Sequence, residues 1–211
     1  MGLILVKDTE TTGLPVWGEP SEGVSQPHLV QLAAILVDED TRVVVDKMDV
    51  TIKPNGWSWG ADNEAFKVHG VTMERAMAEG VEEEAALRTF LDLWKRAVFR
   101  VGHNCPFDNR MIRITICRYI DKTFADVFKA QEYQCTGLLS KGILKMPAPP
   151  KAKRFGPYKM PKLEEAYEFF FPGKKIVGQH SAMGDTQACM EIYFAIQDHN
   201  ASAKVKAMAS L

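Results

Sequence analysis

LVKDTETTGLP, residues 5–15, begins as an apolar strand, ends as a turn, and carries two carboxylates one residue apart, Asp8 and Glu10. In a strand, residues i and i+2 project from the same face, so both acids leave the strand's C-terminal end together. A strand running into a core is a costly place for two like charges. The Thr-Thr-Gly that follows offers hydroxyls and a closely approachable backbone. Those are surroundings a ligand site needs and two solvated turn acids do not.

The flanking sequence sets this strand in a sheet. Residues 3–7 form its apolar part. LVQLAAILVDED (29–40) and TRVVVDKMDVTIKP (41–54) are β-rich runs joined by a tight acidic turn, which predicts an antiparallel meander. Residues 14–28 hold three prolines and read as a long loop. Leu87, Phe90, Leu91 and Trp94 recur at i, i+3, i+4 and i+7, one face of a helix. A short strand at 98–104 then meets Pro106, placed where prolines open helices. A weak strand near EYQCT precedes a short helix at 136–144, and two further helical stripes follow, Leu163–Phe170 and Cys189–Ile196. A meander followed by alternating strands and helices predicts an α/β fold with a mixed sheet.

Length and charge bound the function. At 211 residues a single domain is the better prior. The net charge of −1 excludes a polyelectrolyte binder, so any nucleic-acid affinity must come from a local patch or from bound cations. Four cysteines without a C-x-x-C pair read as reduced thiols. The run LILV is too short for a signal peptide or membrane span. A cytoplasmic protein without membrane association is therefore expected.

Two more acids join the first pair. Asp108, in GHNCPFDNRMI, falls in the first turn of a helix that follows a strand. Asp185, in GQHSAMGDTQACMEIY, precedes Cys189, Ile192 and Tyr193 on the same helical stripe, with His180 five residues earlier. Four clustered carboxylates would all be ionised at neutral pH and would repel one another. Divalent cations resolve this, and all-oxygen ligation suits Mg²⁺ or Mn²⁺ rather than zinc. Two such ions can stabilise the attacking and leaving oxygens of a phosphoryl displacement, and a neighbouring histidine can take the proton of the attacking water.

DTETTG, HNCPFD and HSAMGD, in that order, with FKVHGVTMERA between the first two, resemble the motifs of the DEDDh, or DnaQ-like, 3′–5′ exonucleases. That family includes the proofreading ε subunit of bacterial DNA polymerase III, ribonuclease T and oligoribonuclease. The resemblance implies a ribonuclease H-like mixed five-stranded sheet flanked by helices. It also implies two Mg²⁺ ions, replaceable by Mn²⁺, and release of nucleoside 5′-monophosphates. Carried over residue by residue, it makes Asp8 the bridge between the metals and puts Glu10 and Asp185 on the ion that activates water. Asp108 would serve the second ion, directly or through water, and His180 would be the general base. Thr11 would contact the terminal nucleotide, Leu14 would wedge under its base, and His69 would lie near its sugar. Asn104 and Phe107 flank the third acid and would line the site.

Departures from the family pattern are Lys7, where an apolar or aromatic residue is usual, and Cys135, where many relatives have Asp. Lys7 either lies on the opposite sheet face or reaches a phosphate. Residues 143–162 form a basic, proline-rich insertion with six cations and no acid. The exonuclease domain is expected to span residues 1–199, with 200–211 a flexible tail. The expected partner is nucleic acid with a 3′ end, single-stranded DNA ahead of RNA, as in a proofreading or repair trimmer. The alternatives are an RNA-trimming enzyme of the ribonuclease T or oligoribonuclease kind and a catalytically silent binding relative. No polymerase partner is implied.

Overall fold

The computed structural model describes residues 2–209. Its first three strands, β1 (Leu3–Thr11), β2 (Leu29–Asp38) and β3 (Val44–Lys53), form the expected antiparallel meander. Between them and the next long helix lie α1 (Glu64–His69), α2 (Met73–Glu79) and a two-residue strand, β4 (Val81–Glu82). Then follow α3 (Glu83–Trp94), β5 (Phe99–Gly102), α4 (Cys105–Tyr119), α5 (Lys122–Ala130), β6 (Tyr133–Cys135) and α6 (Thr136–Leu144). A 3₁₀ helix (Pro150–Phe155), α7 (Leu163–Phe170) and α8 (Ala182–Ala209) complete the chain.

The sheet order is β4-β3-β2-β1-β5-β6, with β5 parallel to β1, β6 parallel to β5, and β4 parallel to β3. The sheet is therefore six-stranded, not five-stranded as expected. The extra strand is β4, and two residues carry no alternation that a sequence could display.

The meander's alternation divides the core. Leu5, Leu32, Leu36 and Ile52 face α3, α4 and α5, where they meet Leu87, Phe90, Ile112 and Phe128. Ile4, Val6, Ile35 and Val37 face α8, where they meet Cys189, Tyr193 and Phe194. Burial on both faces explains why β2 reads as a nearly unbroken apolar run. Each large apolar side chain withdrawn from water contributes roughly 1.5–3 kcal/mol.

The long loop of residues 14–28 is fastened rather than loose. The Gln26 amide group bonds Val16 at both its nitrogen and its oxygen and also donates to the Pro20 carbonyl, while Arg118 donates to the carbonyls of Gln26 and Pro27. The buried Glu83 accepts from the Leu29 N–H and the Tyr119 hydroxyl, and it pairs with His28 and Arg118. Beyond His199 the chain continues in α8 to Ala209 and is exposed through Met208. Its alanine and lysine content favours a helix even without a buried face. Residues 210 and 211 of the expected tail lie outside the described residues. No helix among the described residues is long and apolar enough to cross a membrane.

Candidate active site

The acids converge at the C-terminal end of β1. Asp8 and Glu10 leave the strand on the face that meets α8, and Asp185 lies in the first turn of that helix. A ligand oxygen from each of the three lies within 4.8 Å of the others. The β1–β2 register slips between Glu10 and Thr11. Such bulges re-aim side chains beside functional sites, and beyond this one the chain still pairs with β2, Thr11 opposite Leu29.

Protonation of these groups reflects the crowding. Burial first, then the charges of Asp108, Glu10 and Asp185, hold the Asp8 carboxyl well above the usual carboxylate range, against the opposing charge of Lys7. Burial, Asp185 and Asp108 push Glu10 up to about 8. Burial also raises Asp185, while the His180 N–H and the His180 charge work against the shift.

Asp108 stands behind this group of three. It is 2% exposed. Its Oδ1 accepts from both the backbone N–H (3.1 Å) and the hydroxyl (2.8 Å) of Thr9, and its Oδ2 lies 3.4 Å from the Lys7 ammonium. Lys7 is fully buried and its ammonium makes no hydrogen bond. It therefore sits on the α4 face of the sheet as a counter-ion to Asp108 and does not reach a substrate phosphate.

His180 is exposed and sits in the left-handed region at φ 65°, with its N–H 3.3 Å from Asp185 Oδ1. The turn that presents it depends on Gly184. A Cβ there would stand 2.1 Å from the Gly178 carbonyl oxygen, a distance only glycine tolerates.

Beside the acids opens a cleft of about 540 Å³. Thr11, Leu14 and Phe107 line it together with Glu10. Leu14 is 78% exposed, an apolar side chain held out into the opening. Asn63, which the sequence reading missed, also lines the cleft. It caps α1 by accepting from the N–H groups of Ala65 and Phe66, and its amide donates to the Thr12 carbonyl. An Asn-Glu start closed by Gly70 at φ 64° was the available signal.

His69 and Asn104 are not among the residues lining this cleft. His69 is buried edge-on against Trp59 and Phe66, and its Nδ1 accepts from the Val71 N–H. The proton must then be on Nε2, which has no partner, and burial pushes the imidazole pKa down. Asn104 is the exposed residue before α4, at φ 61°, and its side chain makes no capping bond.

His103, also missed, fastens the basic insertion beside this helix. Its Nε2 donates to the Pro161 carbonyl, leaving Nδ1 to accept from Thr136. The insertion itself is a short hairpin bridged at Pro147 and Tyr158. Lys159 and Lys162 pair with Glu165 and Glu164, whereas Lys145, Lys151 and Lys153 are exposed without an ion-pair partner among the described residues. The Phe155 side chain lies outside the described residues.

A model of the exonuclease family, of ribonuclease T type, matches residues 5–193. The chain belongs to this family. Its three ordered motifs place it with the DEDDh, DnaQ-like exonucleases. Among solved structures, the fold is similar to E. coli Exonuclease I in complex with a 5cy-dA13 oligonucleotide, at a TM-score of 0.69 and 19% identity over 94% of this chain and 41% of that one. The zinc-bound E. coli Exonuclease I–single-stranded DNA complex matches at 0.69 and 18%, again over 94% and 41%. A moderately thermophilic Exonuclease I from Methylocaldum szegediense matches at 0.66 and 16% over the same shares. The chain thus spans about two fifths of the length of these exonucleases. No curated protein matches the sequence.

Proposed function

We propose that this exonuclease-family chain removes nucleotides from the 3′ end of single-stranded DNA by metal-dependent hydrolysis of the terminal phosphodiester. The observation that carries the reading is the group of three carboxylates, mutually within 4.8 Å, at the edge of a cleft with an exposed apolar side chain. The oligonucleotides bound to Exonuclease I of E. coli support single-stranded DNA as the substrate class.

The residues fit divalent metal. Their donors are all oxygen, as Mg²⁺ and Mn²⁺ favour. Their raised pKa values mark a repulsion that a cation relieves. Asp8 would be shared between two ions, with Glu10 and Asp185 on one of them. Asp108, its oxygens engaged by Thr9 and Lys7, would serve the other through water. When bound, the ions lower the pKa of the attacking water and neutralise the leaving 3′ oxygen.

The chain's own groups do the rest. His180, exposed beside Asp185, accepts the water's proton and can pass it to solvent. Thr11, at the bulge, holds the terminal nucleotide while Leu14 packs under its base. The Nε2–H of His69 has no partner but is buried outside the cleft lining, so it could donate to the terminal sugar only if the α1 wall opened. The test is turnover of a single-stranded oligonucleotide by the parent, Asp8→Ala and Asp185→Asn, each with EDTA and with Mg²⁺. Only the parent with Mg²⁺ should turn over, and a near-parental rate for Asp8→Ala would refute the assignment.

A further inference from the structure

A second concave site lies on the other side of the first turn of α4. It encloses about 290 Å³ between Trp17 of the long loop, Arg110 and Arg113 of α4, Lys129 of α5, and Arg100 and Tyr133 on the last two strands of the sheet. Four of its lining residues are cations and none is an acid. The one carboxylate paired with any of them is Asp126, which meets Arg113 at the exposed rim.

Arg100 is the anomaly. It is 1% exposed, and its guanidinium faces neutral groups: it donates to Asn109 Oδ1 and the Gln131 carbonyl and lies 4.0 Å above the Phe128 ring. A buried guanidinium without a carboxylate costs several kcal/mol unless something anionic compensates it. Among the described residues, the buried side-chain donors without a partner include the Nε atoms of Arg100, Arg110 and Arg113, all on this one pocket. The two aromatics add a second chemistry. Trp17 is 60% exposed and Tyr133 is 42% exposed, large rings left in water where a base could stack.

We infer that this pocket is a second nucleic-acid subsite, in which the arginines and Lys129 hold a strand phosphate and Trp17 or Tyr133 stacks on the adjoining base. The inference rests on the exonuclease reading for the direction in which the strand leaves. Its position suits that role. Phe107 lines the active-site cleft while Pro106 and Asn109 line this pocket, so the two sites flank one helical turn and lie about one helix diameter apart, ~10–12 Å. The long loop joins them a second time, with Leu14 at the cleft and Trp17 at the pocket.

The test is anisotropy binding of fluorescein-labelled dT20 in EDTA, so that no cleavage occurs, to the parent, Lys129→Glu and Trp17→Ala, with Lys47→Glu on β3 as a remote control. The Lys129 side chain is exposed and makes no hydrogen bond, and Trp17 is on the surface, so neither change threatens the fold. Lys129→Glu should weaken binding about 10-fold and flatten the salt dependence by roughly 0.7 for the lost phosphate contact. Trp17→Ala should weaken it about 5-fold or more with little change in salt slope, and Lys47→Glu should bind as the parent does. Equal affinities for all four proteins would overturn the inference. So would dTMP or inorganic phosphate competing as strongly as dT20, or an acidic peptide displacing the oligonucleotide more effectively than dT20 itself. Hydrolysis of pdTpdT by the parent with Mg²⁺ reads the active site separately, so its failure would count against the exonuclease reading while the EDTA binding series still judged the pocket.

Discussion

Replacing Glu10 by Gln should stabilise the metal-free protein at alkaline pH and leave it unchanged at acid pH. In the folded chain Glu10 is pushed from its ordinary 4.5 up to about 8, first by burial and then by Asp185 and Asp108. A carboxyl whose folded pKa lies above its unfolded one keeps its proton longer when folded. Its favourable contribution is complete below about pH 4.5 and is lost as pH rises through 8. At ~1.4 kcal/mol per pH unit the interval sets a ceiling of about 5 kcal/mol. Solvent reaches part of the side chain, so about 2–3 kcal/mol is the realistic loss. Gln keeps the shape without the charge and escapes that loss. For a chain of this size the difference is ~5–10 °C in melting temperature. The assay is thermal unfolding of parent and Glu10→Gln in EDTA from pH 5 to 9. The curves should nearly coincide at pH 5, diverge steadily between pH 5 and 8 with the variant higher, and keep a constant separation above that. Saturating Mg²⁺ should then raise the parent far more than the variant, because the parent keeps the full ligand set. A melting difference that is the same at every pH would refute the electrostatic account of the site.

Three further outcomes follow from the geometry. His180→Ala should lower turnover by roughly 10²–10⁴-fold and remove the acid limb of the pH–rate profile; an acid limb left intact would place the base elsewhere. Gly184→Ala should push the Gly178 carbonyl aside, displacing the His180 turn, and so cost turnover of single-stranded DNA while the far-ultraviolet circular dichroism stays parental; unimpaired turnover would show that the turn adapts. Lys7→Met strands the buried Asp108 without its cation and should cost roughly 2–4 kcal/mol in urea titrations in EDTA. Adding Asp108→Asn should recover much of that loss, and a double variant no more stable than Lys7→Met would contradict the pairing.

The sequence made the meander legible because β1, β2 and β3 have long apolar runs and a tight turn between the last two. It made α3, α7 and α8 legible because each carries a stripe at helical spacing, and the start of α4 legible because Pro106 opens it. Asp8 and Glu10 were readable as a pair from strand periodicity alone, and the three motifs supplied Asp108, His180 and Asp185. Other features were hidden by tertiary physics. The short helices α1 and α2 are too brief for a periodic stripe, so the cleft wall that carries Asn63 was missed. The second edge of the sheet, β4, pairs through backbone groups that leave no mark in side chains. Lys7 could be placed only once α4 brought Asp108 against it. The pocket around Arg100 draws on loop, helix and strand residues far apart in the chain, and no local pattern joins them.

The central claim is most directly tested by one digestion: a 5′-end-labelled 20-nucleotide single strand of DNA, incubated with Mg²⁺ and sampled from the earliest times, beside a matched RNA strand and an EDTA control. The account predicts a ladder that shortens one nucleotide at a time from the unlabelled 3′ end, faster on DNA than on RNA, with nothing cut in EDTA. Immediate release of the label as a 5′-terminal mononucleotide, or cleavage undiminished by EDTA, would contradict it.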